Sequence, residues 1–251
     1  MTTETTTGAA VPRVRDHRQL VEELAGLLQG RKQPGRPLVA GLTGMDTSGK
    51  SQLATALAAE FGRRGTSHQL VRIDDFHRPR AVRYRSDLPE AEAYYHHSID
   101  FGRAAGELLR PVREEGRLSA ELTLLDLPTD TYTLTRAYEV GPETIVLVEG
   151  VFLFRDEIRD LIDLFVYLDV AEDVVLARGR SRDVPSQGEE VMGKYHTKYL
   201  PAQRAYLAEH PPAAYAEVIV DNSDWSAPLV RVWPADKDAD AVAARAEDGG
   251  R

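Results

Sequence analysis

Apolar residues recur along the chain with two periods. Leu20, Val21, Leu24, Leu27 and Leu28 fall on one helical stripe ahead of the Gln33-Pro34-Gly35 break, which predicts an N-terminal helix packed on the remainder of the chain. Short dense runs read as buried strands: Leu38 to Thr43 (LVAGLT), His68 to Ile73 (HQLVRI), Thr144 to Val148 (TIVLV), Leu164 to Val170 (LFVYLDV) and Glu217 to Val220 (EVIV). Between them Leu53, Ala56, Leu57 and Phe61 predict a helix, Val174 to Arg182 a second and Val191 to Glu209 a third, with Asp183 to Glu190 as a loop. Glu121 to Leu127 and Tyr132 to Val140 read as a small antiparallel pair, and Phe76 to about Asp100 as a long polar and aromatic segment. Strands alternating with helices predict an α/β fold with a parallel sheet covered on both faces.

Composition narrows the partners. With 251 residues and 42% apolar content, the chain suits one substantial core, assigned to residues 13–233. The polar ends, 1–12 and 234–251, are too poor in apolar residues to order themselves and are expected to be flexible, disordered tails. A formal charge of −9 argues against a nucleic-acid or anionic-membrane surface, so any phosphate ligand needs a local site. The absence of cysteine excludes disulfides and thiolate chemistry and suits a reducing cytoplasm. Met1 to Ala10 has no basic region or apolar core, so a soluble, cytoplasmic protein is expected, with homo-oligomerisation left open.

One stretch carries explicit chemistry. Gly44-Met45-Asp46-Thr47-Ser48-Gly49-Lys50-Ser51 fits G-x-x-x-x-G-K-[ST] between a predicted strand and a predicted helix. Glycines there let backbone N–H groups wrap phosphates at the amino end of a helix, where the dipole favours negative charge. Lys50 would reach the β and γ phosphates, and the Ser51 hydroxyl would face magnesium, a hard ion shared with the nucleotide. Gly44, Asp46, Thr47, Ser48, Gly49, Lys50 and Ser51 are therefore the expected nucleotide contacts.

Two further predicted strands end in acids, Asp74-Asp75 and Glu149. Ligands of open parallel sheets sit beyond the carboxyl ends of the strands. Phosphoryl transfer needs a group that orients or deprotonates the attacking oxygen, which makes Asp74 the candidate base and Glu149 a candidate magnesium-side acid. A strand-end aspartate also serves as a cap for the next turn, so position alone leaves both roles open. Arg178 and Arg182 share a helical face while Arg180 points elsewhere; the pair is a candidate lid cation set, or a solvated face paired with Glu172 or Asp173.

In sum the chain resembles the uridine kinase-like branch of P-loop kinases, a group with phosphoribulokinase, bacterial-type pantothenate kinase and nicotinamide riboside kinase. The resemblance runs from about Val39 to Asn222. It rests on the phosphate loop, on Ile73-Asp74-Asp75-Phe76-His77-Arg78-Pro79, similar to a D-x-F-[YH] element, and on Tyr94-Tyr95-His96-His97-Ser98-Ile99-Asp100-Phe101. Val148-Glu149-Gly150-Val151-Phe152-Leu153 with Glu157 to Asp160, Arg178 to Asp183, similar to an R-x-x-x-R-D lid start, and Val218 to Asn222 complete it. The resemblance implies a P-loop NTPase three-layer αβα sandwich with a mainly parallel central sheet, a small lid and a substrate-side insertion. It implies ATP- and Mg2+-dependent phosphorylation of a small-molecule hydroxyl, often of a nucleoside, with Asp74 as general base, Lys50 and Ser51 on phosphate and magnesium, Glu149 on the metal side and Arg182 with Arg178 as lid cations.

His77, Tyr94, Tyr95, His96, Tyr132 and Arg136 are the expected acceptor contacts, supplying stacking surfaces and polar anchors. Such residues are as often a packed surface. Departures fall on the acceptor side: Pro128 to Arg136 is one residue shorter than the base-contacting stretch of uridine kinases and lacks its histidine, and Tyr94 aligns with their ribose-binding aspartate. Glu189 stands where a second lid arginine is usual, and Asp46 resembles the G-x-D-x-x-G-K pattern of thymidylate kinases. A kinase for a nucleoside-like acceptor leads; a kinase for another metabolite, pantothenate-like, riboside or sugar phosphate, or a regulatory nucleotide-binding protein are the alternatives.

Overall fold

In the computed structural model, which describes residues 13–234, every residue of the strand Leu38–Gly44 is buried. A strand covered on both faces loses all of its surface, so an unbroken apolar run marks the centre of the sheet. The chain runs β1 (Arg13–Val14), α1 (His17–Arg31), β2 (Leu38–Gly44), α2 (Lys50–Arg63), β3 (His68–Arg72), a 3-10 turn at Ile73–Phe76, α3 (Arg80–Arg83) and α4 (Glu90–His97). It continues with α5 (Phe101–Ala104) and α6 (Arg110–Glu115), joined by a π turn, then β4 (Leu118–Asp126), β5 (Thr131–Val140), β6 (Ile145–Gly150) and β7 (Leu164–Asp169). Last come α7 (Glu172–Gln187), α8 (Val191–Lys194), a π turn at Tyr195–Tyr199, α9 (Leu200–Glu209), α10 (Pro212–Tyr215), β8 (Val218–Asp221) and β9 (Leu229–Val232).

The main sheet has the order β1-β9-β8-β7-β2-β6-β3. From β8 to β3 all pairings are parallel, and β9 and β1 add an antiparallel edge. Period-two alternation divides the core between the two faces. Val39, Val146 and Val148 join Phe152, Phe154, Tyr95 and Tyr206 on one side, while Ala40, Leu42, Ile145 and Leu147 join α1 and α2 on the other. The stripe on α1 behaves as expected, with Leu20, Val21, Leu24 and Leu28 buried. Its start is set by a capping box: the Asp16 carboxylate accepts from the Gln19 N–H at 2.8 Å, and the Gln19 side chain accepts from the Asp16 N–H at 3.2 Å.

β4 and β5 form a separate antiparallel hairpin, as the alternating pattern implied. Three features differ from expectation. The edge strands β1 and β9 were not legible, because two- and four-residue strands carry almost no periodicity. The expected Asp183 to Glu190 loop is helical as far as Gln187, with Pro185 inside α7. Tertiary contacts of Asp183 hold that turn, and Gly188, at φ +82°, ends it. The Phe76 to Asp100 segment contains α3 and α4. No helix among the described residues is long and apolar enough to cross a membrane. The expected tails at 1–12 and 234–251 lie, except for Pro234, outside the described residues.

Candidate active site

β2 delivers the chain to the carboxyl edge of the sheet at Gly44, where a Cβ would press on the Leu168 carbonyl oxygen. The loop then turns through Thr47, a β-branched residue at φ +59°, whose hydroxyl donates to the Val175 carbonyl at 3.2 Å. Such backbone costs about 1–3 kcal/mol and persists where surrounding contacts over-determine it. Gly49 has φ +99°, and a Cβ there would lie 2.7 Å from Asn222 Nδ2. The same Nδ2 donates to the Ser48 carbonyl at 2.7 Å, so the end of β8 holds the loop from behind. Lys50 opens α2, is 8% exposed, and its ammonium donates to the Met45 carbonyl at 2.7 Å. The first turn of α2 has no acidic residue, which leaves the positive end of the helix dipole free for an anion.

A cleft of about 520 Å³ lies over this loop, with Lys50, Ser51, Asp74, Glu149, Arg178 and Arg182 among the residues that line it. Residues far apart in sequence meet because β3, β6 and β2 are neighbours and all end at this edge. Glu149 is buried, and both of its oxygens lie 3.1 Å from the Ser51 hydroxyl, which donates to them. Burial raises the Glu149 carboxyl above its ordinary pKa, with the nearby Lys50 ammonium opposing. Asp46 is raised in the same way, by burial first, while Lys50 again opposes. Asp74 sits exposed on the 3-10 turn after β3, facing the cleft. Its neighbour Asp75 points the other way and pairs with Arg136 of β5 at 2.9 Å.

On α7, Arg178 and Arg182 both line the cleft, while Arg180 turns outward and pairs with Glu189. Arg178 donates to the carbonyls of Thr47 (3.3 Å), Asn222 (2.7 Å) and Ser223 (3.1 Å), so it ties the phosphate loop to the end of β8. Arg182 makes two bonds to Asp183, at 2.7 and 3.0 Å, and the buried Tyr195 hydroxyl donates to the same carboxylate at 2.7 Å. Hydrogen bonding to Asp183 raises the Arg182 pKa further, which keeps the charge fixed. Pairing of this face with Glu172 is not observed; Glu172 binds Arg204.

The expected acceptor contacts lie around the cleft rather than in its lining. Tyr94 is buried, with its hydroxyl donating to Asp46 Oδ2 at 3.3 Å and its ring edge-on to Phe152 and Tyr199. Tyr95 donates to Glu209 at 2.8 Å beneath the Arg155 guanidinium. His77 Nδ1 is 2.5 Å from the Asp74 carbonyl, His96 packs on the Tyr95 ring, and Tyr132 is half exposed beside Arg103. Arg136 is held by Asp75.

Residues that sequence reasoning missed include Asn222 as the loop's support, Tyr195 as the partner of Asp183, and Trp225, which lines the cleft just after β8. The rule that ligands sit beyond strand carboxyl ends would have flagged Trp225. Lys198 was missed as well: it is buried, with its ammonium 4.6, 5.1 and 5.3 Å from the ring centres of Tyr84, Tyr94 and Tyr199, and burial lowers its pKa.

Comparison with known proteins bears on this arrangement. Residues 39–224 match the phosphoribulokinase/uridine kinase family. A uridine kinase of Geobacillus kaustophilus is 30% identical over 196 residues, covering 74% of this chain and 86% of the relative. A uridine kinase of Leuconostoc citreum is 28% identical over 192 residues, covering 74% and 87%. Among solved structures, one described as a possible uridine kinase from Bacillus stearothermophilus superposes with a TM-score of 0.64 at 27% identity, covering 80% of this chain and 97% of that one. Phosphoribulokinase from Rhodobacter spheroides shares the fold at a TM-score of 0.52 and 13% identity, covering 74% and 70%.

Proposed function

Because this chain belongs to the phosphoribulokinase/uridine kinase family and is a uridine kinase-like phosphotransferase, we propose that it moves the γ-phosphate of ATP onto a hydroxyl of a nucleoside-like acceptor at this cleft, with Asp74 as base. The observation that carries the reading is the convergence of Lys50, Ser51, Glu149, Asp74 and Arg182 on one cleft above the phosphate loop.

Backbone N–H groups at the start of α2 and the Lys50 ammonium hold the β and γ phosphates. Ser51 and Glu149 offer the one hydroxyl and one carboxylate that suit magnesium shared with phosphate oxygens, and they are the residues that would hold it. A magnesium ion held there would supply positive charge to offset that of the phosphates. Asp74 accepts the proton of the acceptor hydroxyl as its oxygen bonds to the γ-phosphorus, and the bond from phosphorus to the ADP oxygen breaks. Arg182 and Arg178 neutralise the charge that develops on the transferring group. Asp183 and Tyr195 orient Arg182, so its contribution needs little reorganisation.

Acceptor choice is a separate matter. Tyr94 is occupied by Asp46 and Arg136 by Asp75, so the hydrogen bonds that a uridine kinase spends on a pyrimidine riboside are committed here within the protein. A site that lacks such bonds discriminates differently by orders of magnitude. Uridine and cytidine are therefore poor acceptors, and a different hydroxyl compound, such as a modified nucleoside, is preferred. An ATP-consumption screen over nucleosides, vitamin precursors and sugar phosphates, with mass spectrometry of the products, tests both parts. No consumption with any acceptor overturns the kinase reading; kcat/KM near 10⁵ M⁻¹s⁻¹ for uridine or cytidine, inside the ordinary enzyme range, overturns the specificity reading.

A further inference from the structure

The sheet order assigns directions along the cleft. β3, which leads into the turn that carries Asp74, and β8, which ends beside Asn222, each stand two strands from β2, on opposite sides. At the usual strand spacing each lies about 10 Å from the phosphate loop. With the γ-phosphate toward Asp74 and Glu149, the rest of a bound nucleotide must extend past Arg178 toward the loop after β8. Trp225 stands there, lines the cleft and is 42% exposed, so its ring is accessible to a ligand in the cleft.

Its ring is backed rather than free. The His17 imidazole of α1 lies 4.0 Å from the Trp225 ring centre at an interplanar angle of 37°, and His17 Nε2 is buried without a hydrogen-bond partner. That contact braces the indole, which also lines the cleft. Both residues fall outside the segment that matches the family, 39–224. We propose that Trp225, braced by His17, is the stacking platform for the base of the nucleoside triphosphate, so that the N-terminal helix takes part in nucleotide binding. The proposal rests on the nucleotide-site reading above.

Base-aromatic stacking is sequence-tolerant, since every base presents a π face, and its loss by alanine substitution corresponds to about five- to 150-fold in affinity. The test uses the full chain with Trp233→Phe, which leaves Trp225 as the single tryptophan, its emission excited apart from that of the tyrosines. ATP should quench its emission and inorganic triphosphate should not. Trp225→Ala should weaken ATP binding at least about fivefold while leaving triphosphate affinity unchanged, and Trp225→Phe should restore most of the loss. His17→Ala should weaken ATP in the same direction by a smaller factor. Triphosphate binding reports on the phosphate loop, and the difference between ATP and triphosphate reports on Trp225. Equal quenching by both ligands, or unchanged ATP affinity in Trp225→Ala, overturns the proposal and leaves the phosphate site standing.

Discussion

Arg136 Nε lies 2.9 Å from Asp75 Oδ2, and this ion pair separates two adjacent acids that look alike in sequence. Asp75 is turned toward the hairpin and neutralised, whereas Asp74 faces the cleft. Replacing Asp74 by asparagine should lower turnover by about 10² to 10⁴ while ATP binding survives, because shape is kept and the proton acceptor is lost. Asp75→Asn should cost less turnover. Steady-state kinetics with an ATP titration compare the two, and the reverse order would move the base to Asp75.

Lys50→Ala removes the ammonium that would meet the phosphates in both ground and transition states. Turnover should fall by on the order of 10² or more, with weaker ATP binding measured by calorimetry. Near-normal phosphoryl transfer by this variant would contradict the phosphate-loop assignment.

Glu149 gives a pH prediction. Burial raises its folded-state pKa above the ordinary 4.5, so between that value and the raised one the native protein binds more protons than the unfolded chain. Stability then declines as pH rises through this window. Glu149→Gln removes the contribution, so the Tm difference, wild type minus variant, should become less favourable to wild type from pH 4 toward neutrality in the ligand-free protein. A flat difference would mean that burial does not raise the carboxyl above its ordinary pKa.

Asn222 ties β8 to the loop through the Ser48 carbonyl at 2.7 Å. Asn222→Ala leaves that carbonyl unpaired, at about 1–3 kcal/mol, and loosens the loop. Denaturant unfolding should show the loss, and ATP affinity should fall with it. Lost stability with unchanged affinity would limit Asn222 to the fold.

Tyr195→Phe deletes the hydroxyl that fixes Asp183 and, through it, Arg182. A positioning role should lower kcat more than it changes KM for ATP, since the guanidinium matters most when charge develops. A pure rise in KM would instead place Arg182 in ground-state binding.

Legibility in the sequence followed the physics of each segment. Strands buried on both faces, such as β2 and β6, announce themselves as apolar runs, and the phosphate loop has a fixed spacing of glycines and lysine. Strand ends then supplied Asp74 and Glu149, because topology brings carboxyl edges together. Pro185 misled: locally it breaks a helix, but the contact of Asp183 with Tyr195, twelve residues on, outweighs it. Tyr94 and Tyr95 show a different limit. Residue type cannot say whether a tyrosine faces a ligand or a neighbour, and the rings pack against Phe152 and Tyr206. Trp225 belongs to no motif, and only its place after the last parallel strand marks it.

The β4–β5 hairpin touches the substrate side at two points. Midway along it Arg136 grips Asp75; at its tip Asp130 accepts from the Arg80 N–H at 2.8 Å and pairs with Arg83 at 3.4 Å. Those two anchor points close a circuit from Asp75 through α3 and back along β5. Each contact limits the separate movement of the segments it joins, so a displacement of α3 bears on the turn that carries Asp74 through the hairpin as well as through the intervening backbone.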